Sequence, residues 1–138
     1  MKRELEDCLV LNTRMAARAV TRRYDRKLRP FGLTAAQFSI LATIARKPDR
    51  SITEMARALA MDRTTLSRNL DLLETKGLIV RRGGETPNSR LCVLADAGAS
   101  LIHSLMPEWR KAQAELRVLL DGETFDDLLT ALKRLAAL

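Results

Sequence analysis

Apolar residues recur at helical spacing through most of the chain. From about Glu4 to Arg29 there is no Pro or Gly, and Leu5, Leu9, Ala16, Val20, Tyr24 and Leu28 fall on one side, which predicts one long helix. Pro30 and Gly32 stop it. Thr34 and Gln37 then form a capping-box pair, predicting a second helix through about Arg46 that ends before Pro48. The same logic repeats at Ser51 and Glu54, where Ile52, Met55, Ala56 and Leu59 give the next helix an apolar face. Beyond the wing region described below, Ala95 to Leu120 reads as a long helix with Leu101, Ile102, Leu105, Trp109 and Leu116 on its apolar side. Pro107 removes one backbone bond and is expected to kink it. Asp121 and Gly122 separate it from a last helix lined by Phe125, Leu128, Leu129, Leu132 and Leu135.

The segment from Ser51 to Leu94 has a different organisation. After the Ser51 helix and an A-M-D turn, the Asp62 carboxylate is placed to accept from the amides of Thr64 or Thr65 and start a helix at Arg63. Stepping about 100° per residue puts Leu66, Leu70 and Leu73 on its inner face. Thr64 and Arg68 point the other way, flanked by Arg63, Thr65 and Ser67. Arginine pairs bidentately with guanine, and hydroxyls serve bases or phosphates, so these side chains suit a major groove. Asp71 also faces outward and would repel phosphate, which confines the DNA-facing part to the first two turns. Gly77 suits the left-handed residue after the helix, with Leu78 returning to Leu73. L-I-V-R-R and R-L-C-V-L, around a Gly/Pro/Asn-rich turn, then read as a hairpin wing. Arg81, Arg82 and Arg90 sit at its base and shoulder, within reach of phosphate or a narrow minor groove. Two capped helices and a basic hairpin are the layout of a winged helix-turn-helix. The predicted fold is therefore mainly α with a small β-hairpin wing.

Composition narrows the function classes. The 138 residues carry 24 Lys and Arg against 17 Asp and Glu, a net charge of +7 that suits a polyanionic partner. No stretch approaches the roughly 18 apolar residues of a membrane span, and Met-Lys-Arg is followed by Glu4, Glu6 and Asp7 rather than a signal core. A cytoplasmic protein without membrane contact is expected. Two distant cysteines and one histidine give neither a zinc site nor a disulfide framework, so no metal or cofactor is expected. No phosphate-binding Gly loop and no nucleophile with a base is recognisable, which argues against an enzyme. Cys92 reads as a small packed residue in the second wing strand. His103 reads as solvated, and Trp109 as a core residue at helical spacing.

The run D-R-T-T-L-S-R-N-L-D-L-L-E-T-K-G-L-I-V-R-R resembles the recognition helix and first wing strand of the MarR family of bacterial winged helix-turn-helix transcriptional regulators. L-T-A-A-Q-F-S-I-L from Leu33 to Leu41 resembles that family's second helix, and L-A-D-A-G from Leu94 to Gly98 its L-T-x-x-G step out of the wing. The likeness spans nearly the whole chain. It departs at the wing tip, where many members carry D-x-D-R-R and this chain has Pro87, Asn88, Ser89 and Arg90; only Arg90 matches, as the second arginine.

The resemblance implies a sequence-specific DNA-binding regulator of transcription, a homodimeric repressor of an inverted-repeat operator in double-stranded DNA, released by a small aromatic or phenolic effector. Residues 34–98 would form the DNA-binding lobe, and residues 1–33 with 99–138 the dimerisation helices. Arg63, Thr64, Thr65, Ser67, Arg68, Arg82 and Arg90 are the expected DNA contacts. Asn12, Met15, Phe38 and Trp109 are the expected lining of an effector crevice between the dimerisation helices and the lobe. The dimer also follows from the apolar faces of the first and last helices, which exceed what a lone winged helix can cover. Two alternatives stay open. Cys8, near the start of the first helix, stands where some relatives place an oxidation-sensing thiol, and a sequence-independent DNA- or protein-binding module would bind chiefly through phosphate contacts and salt.

Overall fold

The computed structural model describes residues 1–86 and 89–138. Helix α1 (Lys2–Glu6) precedes the long α2 (Leu9–Leu28), a 3-10 turn (Arg29–Phe31) and α3 (Ala35–Arg46). Strand β1 (Arg50–Ser51) leads into α4 (Ile52–Leu59), α5 (Arg63–Thr75) and the hairpin β2 (Ile79–Arg82) and β3 (Leu91–Leu94), followed by α6 (Asp96–Leu120) and α7 (Gly122–Ala136). The chain is mainly helical with a small antiparallel wing, as its patterning requires.

Both capping boxes form: Thr34 with Gln37, and Ser51 with Glu54, each exchange side-chain and backbone bonds. The Glu54 carboxyl is held below its ordinary pKa, first by the Ser51 amide it caps. Ala60 closes α4 in the left-handed region, at φ 50°, and turns the chain toward Asp62. At the end of α5, Gly77 (φ 74°) donates to Glu74 O at 2.9 Å and Leu78 to Leu73 O at 3.0 Å, the paired bonds of a Schellman stop.

Three features differ from the sequence expectations. The single first helix is broken at Asp7–Cys8, where Cys8 adopts an extended backbone and caps α2. The Asn12 amide spans the break, donating to Glu6 O at 2.7 Å and Cys8 O at 2.9 Å, a local bond that apolar periodicity does not reveal. The wing has a third strand: β1 pairs with β3 in the order β1-β3-β2, with Arg50 opposite Cys92 and Ser51 opposite Leu91. Finally, Gly122 is the first residue of α7 rather than a spacer, because Asp121 caps that helix through the Thr124 amide at 3.0 Å. Helix α6 runs unbroken through Pro107.

One apolar cluster joins the lobe to the long helices. Ile40, Leu41 and Ile44 of α3, Ile52 and Met55 of α4 and the inner leucines of α5 pack with Cys92, with Leu28 of α2 and with Leu105 of α6. Cys92 is buried, as expected of a small packed residue in the second wing strand, and desolvation pushes its thiol pKa up. Gly98 leaves no room for a side chain where α6 meets this cluster. A Cβ there would sit 2.1 Å from Leu78 O, the carbonyl that also accepts from Ala95 N, so α6 can start against the α5–β2 turn only without a side chain.

Alanine in a helix is ordinarily favoured over glycine by about 1 kcal/mol. Gly98→Ala is expected to reverse that sign and destabilise by about 1 to 3 kcal/mol through overpacking. The urea unfolding midpoint measures it, and an unchanged or raised midpoint would show that the α6 joint yields.

Candidate nucleic-acid interface

The rotation of α5 is set by Leu66, Leu70 and Leu73, all with 0% exposure. With those seated, Arg63, Thr64, Ser67, Arg68 and Asp71 line one shallow, open depression on the outer face. The N-terminal end is fixed by Asp62, whose Oδ1 accepts from the Thr65 amide at 2.8 Å and whose Oδ2 accepts from the Thr65 hydroxyl at 2.7 Å. Those two bonds, the amide first, hold the Asp62 carboxyl below the usual aspartate range. The Thr65 hydroxyl proton is thus committed to the cap and Thr65 is not part of the depression, so its oxygen can serve a ligand only as an acceptor. Guanidinium groups, hydroxyls and one carboxylate on a solvent-facing helix can meet both donors and acceptors of base edges.

The acid expected to disturb this face is tied down. Arg81 of β2 donates to Asp71 Oδ1 at 2.6 Å and to Glu74 Oε1 at 2.9 Å, and its own backbone amide donates to Glu74 Oε2 at 3.2 Å. The guanidinium is largely buried and its pKa is raised, first by the Glu74 bond; Glu74 in turn is lowered, first by the Arg81 side chain. Arg81 therefore serves as a latch between the wing and α5. Sequence reasoning missed it, although two acids one turn apart on α5 and an arginine two residues into the strand were the available signal.

Arg82 is exposed and lies 3.7 Å from the Asp49 carboxylate. Arg90 is exposed just before the returning strand β3, preceded by Ser89, whose amide donates to Thr86 O at 3.1 Å. Pro87 and Asn88, where the wing-tip departure falls, lie outside the described residues. The expected DNA contacts thus fall into a cluster on α5 and two separate wing arginines.

The expected effector residues separate. Phe38 and Trp109 line one cavity of about 270 Å³ between α2, α3 and α6, together with Val20, Thr21, Tyr24 and Ser39. Asn12 lines a neighbouring apolar groove of about 460 Å³ between α2 and α7, which shares Val20 and Thr21 with the first. Met15 is exposed on α2 and lines neither. Tyr24, whose hydroxyl donates to Gln113 Oε1, was not anticipated in the cavity, though it lay on the apolar side of the predicted first helix. Cys8 is half-buried at the start of α2.

A helix-turn-helix with an antiparallel wing latched to its outward-facing, basic second helix defines a winged-helix DNA-binding protein. The profile of the MarR family matches residues 31–87. The chain is 34% identical to the Mycobacterium tuberculosis transcriptional regulator MosR in its DNA complex, with a TM-score of 0.77, covering 96% of this chain and 100% of that one. It is 30% identical to the transcriptional repressor CouR bound to a 23-mer DNA duplex (TM-score 0.84, 96% and 95% covered), and that repressor is also known bound to p-coumaroyl-CoA (TM-score 0.83, 96% and 94% covered). A Bacillus subtilis relative, the HTH-type transcriptional regulator YwoH, is 26% identical over 108 residues, 78% of this chain and 79% of its own. The chain belongs to the MarR family and is a DNA-binding transcriptional regulator. Among the described residues, no helix is long and apolar enough to cross a membrane.

The latch has a pH signature. Because the folded pKa of Glu74 is depressed, its contribution is complete above the ordinary glutamate value of about 4.3 and is lost as pH falls through the folded value. In Arg81→Met the Glu74 carboxyl is expected to titrate nearer the ordinary value, which carboxyl-carbon NMR measures. With the acid side partly exposed, the accompanying stability loss is about 1 kcal/mol or less. An unmoved Glu74 titration would show that Arg81 does not hold it.

Proposed function

We propose that this regulator is a homodimeric repressor that reads an inverted-repeat operator with paired α5 helices and releases it when a small aromatic molecule enters the α2–α3–α6 cavity. The observation that carries the reading is the placement of Arg63, Thr64, Ser67 and Arg68 on one exposed face of a helix whose opposite face is fully buried. In this reading Arg68 and Arg63 meet base edges, Thr64, Thr65 and Ser67 serve bases or phosphates, and Arg82 and Arg90 take backbone or minor-groove positions. Residues 34–98 are the DNA-binding lobe; residues 1–33 and 99–138 are the dimerisation part. The two DNA-bound relatives support the same use of the lobe.

Dimerisation is supported by apolar surface left uncovered at both ends of the chain. Leu5, Leu9, Val10 and Leu11 near the start, and Leu128, Leu132 and Leu135 on α7, are all exposed to solvent. A two-fold axis relating these faces sets two α5 helices toward successive major grooves, with half-sites about 10 bp apart. Release by a ligand requires different affinities for DNA-competent and incompetent spacings of the helices. The cavity is suited to that, because its walls come from α2 and α6 on one side and α3 of the lobe on the other. The p-coumaroyl-CoA complex of CouR supports an effector of aromatic character.

Arg68→Ala is expected to weaken specific binding by about 1 to 3 kcal/mol and blur sequence preference, while Arg82→Ala weakens all DNA alike. Fluorescence anisotropy on an enriched site and on random duplex separates the two; equal losses on both duplexes for both variants would overturn this division of roles. Leu132→Asp is expected to dissociate the dimer in sedimentation equilibrium, and a dimer that survives it would remove α7 from the interface.

A further inference from the structure

Asp71 stands in the middle of the outward stripe of α5. At about 100° per residue it lies roughly 20° from Thr64 around the helix axis, between Ser67 and Arg68, and about 10 Å further along. It lines the same depression as those three residues and Arg63. Of the five lining side chains, the two arginines only donate hydrogen bonds and the two hydroxyls can donate or accept. The Asp71 carboxylate only accepts.

That carboxylate is held in place from the wing. Arg81 Nη2 donates to Asp71 Oδ1 at 2.6 Å, and the guanidinium is anchored in turn by Glu74, while the Asp71 side chain stays 67% exposed. Among the described residues no protein group donates to Asp71 Oδ2, which leaves that oxygen to a ligand. One guanidinium faces two carboxylates, so the patch keeps negative charge and opposes phosphate. Phosphates flank a major groove, whereas base edges form its floor and carry amino groups that donate. A central acceptor on the helix meets the floor. There, cytosine N4 has an acceptor on one side only, the O6 of its paired guanine, while adenine N6 lies between its own N7 and the O4 of thymine. Guanine and thymine turn acceptors toward the groove and repel a carboxylate.

Resting on the reading of this face as sequence-specific, we propose that Asp71 is a specificity-determining residue whose Oδ2 accepts from the N4 amino group of a cytosine at one position of the DNA site. Arg81 is the positioning residue that aims it. The reading face of α5 thereby extends into the third turn, beyond Arg68.

Enrichment of duplexes from a random library by the full chain, repeated with Asp71→Ala, Asp71→Asn and Arg81→Met, tests this. The unaltered protein is expected to favour a C·G pair at one position by about tenfold, the scale of one mismatched pair. Asp71→Ala is expected to lose that preference alone and to bind random duplex no more weakly. Asp71→Asn keeps an oxygen for Arg81 and gains an amide, so its preference at that position is expected to move to adenine, whose N6 and N7 an amide recognises together. This swap carries the test alone if Asp71→Ala does not fold. Arg81→Met retains the carboxylate without its aim and is expected to weaken the cytosine preference more than any other. Base preferences in Asp71→Ala identical to those of the unaltered protein, or reduced evenly at every position, would overturn the proposal while leaving specific reading by α5 standing. Adenine favoured at that position by the unaltered protein would overturn the choice of cytosine, and an undiminished preference in Arg81→Met would remove Arg81 from the role. No enriched sequence for the unaltered protein would remove the specific reading and this proposal with it.

Discussion

The seating of Leu66, Leu70 and Leu73 is the constraint on which the rest depends. All three are fully buried in the cluster shared with α3, α4 and the wing, in an interior close-packed enough that a helix cannot roll without opening voids. Fixing the inner stripe fixes the outer one. Arg63, Thr64, Ser67 and Arg68 face solvent because three leucines cannot, and the Asp62 cap and the Gly77 stop determine where the usable turns begin and end. Each leucine contributes about 1.5 to 3 kcal/mol by burial, which makes this orientation a property of the core rather than of the surface residues it displays.

The wing inherits its position from the same helix. Arg81 ties β2 to two acids of α5, and Leu78 both closes the helix and supplies the carbonyl against which α6 begins. A displacement of α5 is thereby transmitted to the hairpin on one side and to α6 on the other. Helix α2 links the remaining parts, since Val20 and Thr21 line both the lobe-side cavity and the α7 groove. In the proposed dimer, an occupant of the cavity would act on the same stretch of helix that lies beside the subunit contact.

Much of this was legible in the sequence because it rests on local rules. Capping pairs at Thr34–Gln37 and Ser51–Glu54, the Asp62 cap and the Gly77 stop are written within a few residues each, and the α5 faces follow from helical period alone. What escaped depends on contacts between distant residues. The Arg81 latch joins side chains brought together by the turn after α5, strand β1 exists only because β3 returns beside Arg50, and Tyr24 becomes a cavity residue only when α6 brings Gln113 to it. The break at Cys8 escaped for a different reason: Asn12 satisfies carbonyls of a discontinuity whose flanks both look helical. The candidate effector residues dispersed because a spacing on α2 does not say which neighbour each side faces.

The central claim is that two copies of α5, held outward by their leucine stripes, read one symmetric DNA site. Selection of binding sites from a random duplex library by the intact protein tests it most directly. Enrichment of an inverted repeat with half-site centres about 10 bp apart is the expected result. Enrichment of no sequence, or of a lone half-site without a symmetric mate, would contradict it.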